Sequence, residues 1–461
     1  MVDTEIRRML ETIVGKNNVL SESVDLLAYS YDATADVPHQ TPDVVVLPGS
    51  TAQVQQIVRL AGAKNIALYP RGAGTNLSGG TIPLKKGIVL SFQRMDSILE
   101  IDPENLTATV QPGVVIQALN TAVAPHGLIY PPDPGTVATA TMGGSVAENS
   151  GGLRGLKYGV TKHYVMGMEV VLANGKVFTF GGKTVKNVTA YEFQSLFVGS
   201  EGTLGIITRI TVKLIPAPKY RRTMMGLFKS VTDAGNAVAG IIKAHVIPAT
   251  LEIMDKMTIT TVEQYAKVGL PLDAAAVLLI EVDGMAEQVV QDEAEAVMRV
   301  VQEHNGELRV ATSDAERDKL WAARRAALPA LAQLSATTVL EDATVPRSRL
   351  TEMLVACEDI AARYRLKLGT FGHAGDGNLH PTILANPADK DEMDRVHQAV
   401  DEIFATALRL GGTLTGEHGI GIAKMKYLKD ELGESGIGVM RTLKKALDPN
   451  NILNPGKMVE V

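Results

Sequence analysis

Three of the chain's nine histidines fall in two short glycine-rich pieces. The first is Gly372-His373-Ala374-Gly375-Asp376-Gly377-Asn378-Leu379-His380, and the second is Gly416-Glu417-His418-Gly419. Two imidazoles and a carboxylate are a donor set that holds a divalent metal with coordination positions left open. On residue type, His373, His380 and Glu417 are candidates for that set. The spacing is not that of a zinc finger. The residues alone leave a second reading open: a turn built by Asp-Gly-Asn chemistry, its histidines satisfied by ordinary hydrogen bonds.

The surrounding elements must decide whether those side chains meet. Gly372, Gly375 and Gly377 oppose a helix, where glycine is costly. Residues 367–371 and 379–384 read as extended runs, so the expectation is strand, tight turn, strand. Such a hairpin brings His373 and His380 close across its mouth. On a helix predicted from Asp314 to about residue 334, kinked or interrupted at Pro329, Arg324 falls in line with Leu320, Leu328 and Leu331. Such an arginine either snorkels past the edge of a core or offers a fork for a substrate carboxylate.

From Tyr220 onward the pattern alternates. Strands are expected at 223–228, 275–282, 307–311 and 337–345, and helices at 232–244, 286–304, 349–364 and 389–410. This reads as an α+β cap domain with helices on one face of an antiparallel sheet.

The first half is organised by small-residue tracts. A β-branched strand at 43–47 leads to a helix through about residue 63, capped by Ser50 or Thr51. A strand at 65–69 runs into Pro70-Arg71-Gly72-Ala73-Gly74-Thr75-Asn76-Leu77-Ser78-Gly79-Gly80. A Rossmann reading fails there: Leu77 replaces the third glycine, and Gly79, Gly80 and Pro83 oppose a following helix. The loop either wraps a pyrophosphate with its backbone N–H groups or is a structural glycine turn. The second tract runs from Pro131, Pro132, Asp133, Pro134 and Gly135 to Thr139 and Gly152, small enough to lie against a planar ligand. Asn174-Gly175 predicts a hairpin turn. Gly199-Ser200-Glu201-Gly202-Thr203-Leu204-Gly205-Ile206 joins a glycine turn to a strand, and Pro216 and Pro218 mark a boundary.

Composition sets limits. A chain of 461 residues exceeds one ordinary core, so two or three domains are expected. A net charge of −6 gives no electrostatic case for nucleic acid. A single cysteine, Cys357, excludes an internal disulfide, a multi-cysteine zinc site and an all-cysteine iron–sulfur cluster. The apolar run 274–280 is too short to span a bilayer. The first fifteen residues read as an amphipathic helix, and the expected location is cytoplasmic, peripheral to the membrane at most through a partner.

The loops from Pro70, Gly143 and Gly199 together resemble the flavin-binding domain of the p-cresol methylhydroxylase and vanillyl-alcohol oxidase superfamily. The histidine hairpin, the Glu417-His418 pair and the tail Asn454-Pro455-Gly456-Lys457 resemble the FAD-linked D-2-hydroxyacid dehydrogenases within it. That group includes D-lactate dehydrogenases, the glycolate oxidase flavin subunit and D-2-hydroxyglutarate dehydrogenase. The fold implied is α+β, with a flavin-binding domain over residues 1–216, a cap domain on an antiparallel sheet over 217–410, and a segment 411–461 returning to the flavin domain. FAD is implied on Pro70, Arg71, Gly72, Ala73, Gly74, Thr75, Asn76, Leu77 and Gly79, and on Pro132, Asp133, Thr139, Thr141, Gly143, Gly144, Ala147, Asn149 and Gly152. Glu201, Gly205, Ile206 and Asn454 complete the cofactor set. With no histidine or cysteine in either loop, the FAD is expected to be noncovalent.

The resemblance further implies a divalent metal (zinc, iron or manganese) on His373, His380 and Glu417, with His418 as base. It implies Arg324 on the substrate carboxylate and Asn378 beside the metal. The expected reaction is oxidation of a small D-2-hydroxy acid, D-lactate foremost, with glycolate or a non-catalytic relay subunit as alternatives. Leu340 and Glu341, where the 2-hydroxyglutarate enzyme carries a substrate lysine, favour a monocarboxylate. Electrons would pass to an electron-transfer flavoprotein, an iron–sulfur subunit or a membrane quinone, and direct use of dioxygen is the close alternative.

Overall fold

The computed structural model describes residues 2–461. The chain divides into two compact units. One comprises the residues up to Gly151, with Val160–Ala217 and Glu417–Val461; the other comprises Gly152–Gly159 and Pro218–Gly416.

In the first unit, the β-branched run Val44–Val46 is fully buried and pairs in parallel with Ile88–Ser91, which pairs in parallel with Leu68–Arg71. The helix Thr51–Lys64 begins where the Ser50 hydroxyl accepts from the Gln53 N–H, and ends at Asn65 in the left-handed region. Its apolar face, Val54, Ile57, Val58 and Ala61, shares a core with Ile6, Leu10 and Val14 of the amphipathic helix Thr4–Val14. Ile452 and Leu453 of the tail join that core, and the Leu68 N–H donates to the Ile452 carbonyl at 2.7 Å. A second, antiparallel sheet orders Ile98–Asp102, Thr107–Val110, Ile206–Lys213, Val165–Val171 and Val177–Gly181. Asn174-Gly175 turns the last hairpin as its sequence requires. The second small-residue tract holds a short helix, Met142–Glu148, capped by Thr141.

The second unit is built on an antiparallel sheet in the order Glu307–Val310, Tyr220–Phe228, Ala276–Gly284, Thr250–Asp255, Lys367–His373, Asn378–Ala385 and Thr337–Leu340. Ala343–Thr344 also pairs with Asn378–Ala385. Helices cover both faces, not one. Met225, Leu227, Met254, Val277, Leu279 and Phe371 pack with side chains of Lys256–Ala266, Asp314–Arg325 and Ala327–Ala332. Side chains of the opposite parity, Met224, Leu278 and Ile280, are equally buried, and Val231–Lys243 and Glu287–Glu303 lie against the same strands. The unbroken apolar run 276–280 within the strand Ala276–Gly284 is the pattern of a strand buried on both sides. The helix from Asp314 breaks at Ala326. Pro329 lacks an N–H and its ring opposes the carbonyl of Arg325, so the helix cannot run through unbroken.

The strand Thr250–Asp255 and the helix Lys256–Ala266 had no counterpart in the sequence reading. Their junction is Asp255, whose carboxylate accepts from the Thr258 N–H at 2.8 Å and the Thr370 N–H at 2.6 Å. Burial pushes Asp255 up to about 6, against the pull of those two bonds. A carboxyl raised on folding contributes stability that is complete below its unfolded value of 3.8 and is lost as pH rises through about 6. The expected loss from this group is about 2 kcal/mol between pH 4 and pH 7. Urea unfolding of the parent and of Asp255→Asn at both pH values checks it: the difference between them should move against the parent as pH rises.

Candidate functional site

The hairpin forms as its glycines require. His373 pairs with Asn378 and Phe371 with His380, so all four side chains share one face of the sheet. Gly377 closes the turn with φ near 77°, and a Cβ there would meet the Val345 carbonyl oxygen at 2.1 Å. The two imidazoles are diagonal neighbours, with ring centroids 5.2 Å apart and planes at 88°. Ile253 lies opposite Gly372, so the register puts Glu252 beside His373. Thr344 lies opposite Asn378 and extends the same row.

Glu252 is the centre of this row. Its carboxylate is almost fully buried. Oε1 lies 2.7 Å from Nδ1 of His373, and Oε2 accepts from Nε of Arg324 at 2.7 Å and meets Nη2 at 2.6 Å. Arg324 does not snorkel: it is 6% exposed, and its guanidinium sits 4.8 Å over the ring of Phe371. Two of its five N–H groups face Glu252, which leaves three for another acceptor.

Asp342, fully buried, orders the other end of the face. It accepts from Asn378 Nδ2 at 2.8 Å, Thr415 Oγ1 at 2.5 Å and the Gly416 N–H at 2.8 Å, and lies 3.6 Å from Nδ1 of His380. Glu417 and His418 follow Gly416 directly in the chain and belong to the first unit. The sequence reading missed Glu252 and Asp342. The available signal was a lone carboxylate inside an apolar strand, Thr250-Leu251-Glu252-Ile253-Met254, and an aspartate between Glu341 and Ala343.

In the first unit, the loop after Leu68–Arg71 contains no helix, as expected. Among the described residues, the seven backbone N–H groups from Gly72 to Ser78 donate to no protein acceptor. A run of unused N–H groups in a glycine loop is an anion cradle. Gly74 has φ near 70°, and a Cβ there would meet the Arg71 guanidinium at 2.2 Å; one on Gly72 would meet Thr141 Oγ1 at 2.3 Å. The loop therefore fits the diphosphate of FAD.

Several expected cofactor residues support this loop. Asn76 Nδ2 donates to Asp32 at 2.8 Å, and Asn454 Nδ2 donates to the carbonyls of Gly80 at 2.9 Å and Glu201 at 2.6 Å. The Glu201 N–H donates to the Ala147 carbonyl, and its carboxylate accepts from the N–H groups of Ile420 and Gly421. Thr141 caps the helix that carries Gly143, Gly144 and Ala147, and Asn149 ends it in the left-handed region. Burial, with Glu201 and Asp32 nearby, holds the Glu148 carboxyl well above its usual range.

Other expected residues are engaged elsewhere. Arg71 is spent on the carbonyls of Tyr31 and Ala28 and on Thr81 Oγ1. Ile206 is core, and a Cβ on Gly205 would meet Val170 at 2.4 Å. Gly202 packs on Pro70 in the same way. Pro132, Asp133 and Thr139 lie in the turn segment before the helix, and Gly152 belongs to the second unit.

Comparison with known proteins bears on the same two regions. Residues 217–458 match the family of FAD-linked oxidases, C-terminal domain, and residues 42–181 match an FAD binding domain. The chain is 50% identical over 459 residues to the glycolate oxidase subunit GlcD of Bacillus subtilis, covering 99% of this chain and 97% of that protein. It is 37% identical over 441 residues to a D-lactate dehydrogenase of Anaerostipes hadrus, covering 93% and 92%. Among solved structures, p-cresol methylhydroxylase with substrate bound superposes with a TM-score of 0.81 at 18% identity, covering 98% and 96%, which speaks to fold alone. The α+β expectation, with its flavin-binding domain and antiparallel cap sheet, holds. No helix among the described residues is long and apolar enough to cross a membrane. The chain is a flavoprotein oxidoreductase and belongs to the FAD-linked oxidase family.

Proposed function

We propose that the chain oxidises a small 2-hydroxy monocarboxylate to the 2-keto acid or its aldehyde homologue. The observation that carries the reading is the pair of buried imidazoles, His373 and His380, on one sheet face with Arg324 beside them. Two imidazoles suit zinc, iron or manganese, and Glu417, next after the Asp342-anchored Gly416, is the third ligand of the proposed set. When bound, the metal polarises the substrate hydroxyl and lowers its pKa. When bound, noncovalent FAD supplies the hydride acceptor.

The protein groups do the rest. The three remaining N–H groups of Arg324 hold the substrate carboxylate. Asn378, fixed by Asp342 and Thr344, lines the same face. His418 takes the hydroxyl proton as general base, and an imidazole suits that task near neutrality. The unit with Val160–Ala217 and Glu417–Val461 serves the flavin, and the unit with Pro218–Gly416 serves the substrate.

Glycolate is the reading favoured by the relative at 50% identity, and D-lactate is the second, favoured by relatives at 37% and 36%. Leu340 and Glu341, on the stretch leading to Pro346, offer no cation for a second substrate carboxylate, which supports a monocarboxylate. The name of the 50% relative is that of a subunit, which supports onward transfer of electrons to a partner protein, an iron–sulfur subunit or an electron-transfer flavoprotein. A cytoplasmic location, at most peripheral to the membrane, accompanies this reading.

The loop assignment has its own test. Gly74→Val forces a β-branched side chain into the left-handed region and against Arg71. FAD affinity, measured by fluorescence titration of the apoprotein, should fall about 5- to 150-fold, the equivalent of the ~1–3 kcal/mol such backbone strain costs. Unchanged affinity would remove the diphosphate from this loop. The reaction itself is tested by anaerobic mixing with glycolate or D-lactate, which should reduce the bound flavin.

A further inference from the structure

We propose that Glu252 is a positioning residue that holds the metal-binding face of His373 and the substrate-binding fork of Arg324 in one frame. The inference rests on the proposed roles of those two residues and adds a third to them. Glu252 lies on a different strand from His373 and 72 positions before Arg324, and one carboxylate serves both. It is 1% exposed, so water does not compete for its oxygens.

The chemistry follows from which atoms donate. A carboxylate is acceptor-only, so Oε1 fixes the His373 proton on Nδ1. The lone pair of that ring then lies on Nε2, the nitrogen that would ligate the proposed metal. A carboxylate behind a ligating imidazole also raises its basicity and fixes its plane. Oε2 receives Nε and Nη2 of Arg324 from one side. With Phe371 beneath the guanidinium, this leaves Arg324 one orientation. Phe371 and His373 alternate on the same strand face, so the hairpin that places one imidazole also seats the arginine.

Glutamine at this position cannot do the same work. It has one acceptor oxygen and one NH₂ donor. If the oxygen stays with Arg324, the NH₂ faces Nδ1 of His373 and moves the ring proton to Nε2. If the amide turns, Arg324 loses its acceptor. Either way one partner is misplaced while volume and shape are kept.

The experiment uses the full-length FAD-bound protein and titrates Mn²⁺ and Zn²⁺ calorimetrically into the metal-stripped parent, Glu252→Gln, Glu252→Asp and His380→Ala. The expected result is metal affinity about 10–100-fold weaker in Glu252→Gln, with partial recovery in Glu252→Asp, which keeps both acceptor oxygens. The KM for the hydroxy acid should rise in Glu252→Gln as Arg324 loses its anchor. A Glu252→Gln protein with lowered unfolding temperature but metal affinity within twofold of the parent would make Glu252 merely structural and overturn the proposal. Should Glu252→Gln fail to fold, the aspartate variant decides: affinity equal to the parent overturns the proposal, and an intermediate value supports it. A parent that binds neither metal, or binds them equally well as His380→Ala, would bring down the metal reading itself and this proposal with it. That outcome differs from the twofold result because it appears without any change at Glu252.

Discussion

His418→Ala should retain FAD and lose about 10²–10⁴-fold in the rate of flavin reduction by glycolate or D-lactate, the range a positioned general base contributes. The base is needed because a hydroxyl proton must leave as hydride departs from the adjacent carbon. A metal on His373 and His380 would lower the hydroxyl pKa, but the proton still requires an acceptor. The flavin band should keep its intensity and position in the variant, since the loop of free N–H groups from Gly72 to Ser78 lies elsewhere in the sequence. Stopped-flow absorbance of the anaerobic variant measures the rate directly. Raising the pH should restore part of the lost rate, because a more basic solution ionises the substrate hydroxyl without help. An unchanged rate would pass the role of base to another group.

Asp448→Ala should destabilise the first unit by about 3–5 kcal/mol, the cost of stranding a buried charge. Lys444 is 4% exposed, and its ammonium contacts Asp448 at 2.5 Å, the Leu453 carbonyl at 2.7 Å and the Thr203 carbonyl at 2.8 Å. Burial already pulls the Lys444 pKa down, with Asp448 the main opposing influence. Asp448 also accepts from the N–H groups of Ile452 and Leu453, so its loss frees the tail that carries Asn454. Asn454 in turn ties Gly80 to Glu201, and FAD affinity should fall together with stability. Replacing both partners, Lys444→Met with Asp448→Asn, should cost less than Asp448→Ala alone, because no unpaired charge remains. Thermal unfolding of the FAD-loaded proteins, read with flavin release, distinguishes the two.

The hairpin was legible because its information is local. Three glycines, two extended runs and a histidine at each end allow one simple geometry, and Phe371, His373, Asn378 and His380 take it. The loop at Gly72 to Ser78 was legible for the same reason, as glycine and proline exclude the helix that a Rossmann site would need. Glu252 was not legible. Its meaning comes from pairing between Thr250–Asp255 and Lys367–His373, strands separated by more than a hundred residues. Nothing within Thr250-Leu251-Glu252-Ile253-Met254 says which strand will lie beside it. Asp342 is similar: it earns its place through Asn378, Thr415 and Gly416, all downstream.

Arg324 was half legible. Helical spacing put it on an apolar stripe, but only the buried carboxylate on another strand explains why it stays inside. The second layer of helices was readable in principle from the unbroken apolar run 276–280, which has no polar face to show to water. Lys256–Ala266 hid because Thr258, Ile259, Thr260, Thr261 and Val262 favour strand over helix; the Asp255 cap and the packing of Ile259 and Val262 override that preference.

The most direct test of hydroxy-acid oxidation is an anaerobic visible spectrum of the FAD- and metal-loaded protein before and after glycolate, D-lactate and L-lactate. Bleaching of the oxidised-flavin band by glycolate or D-lactate, absent with L-lactate and abolished when a chelator removes the metal, is the predicted result. A band that stays unchanged with all three acids would contradict it and leave a flavoprotein of this family with another substrate.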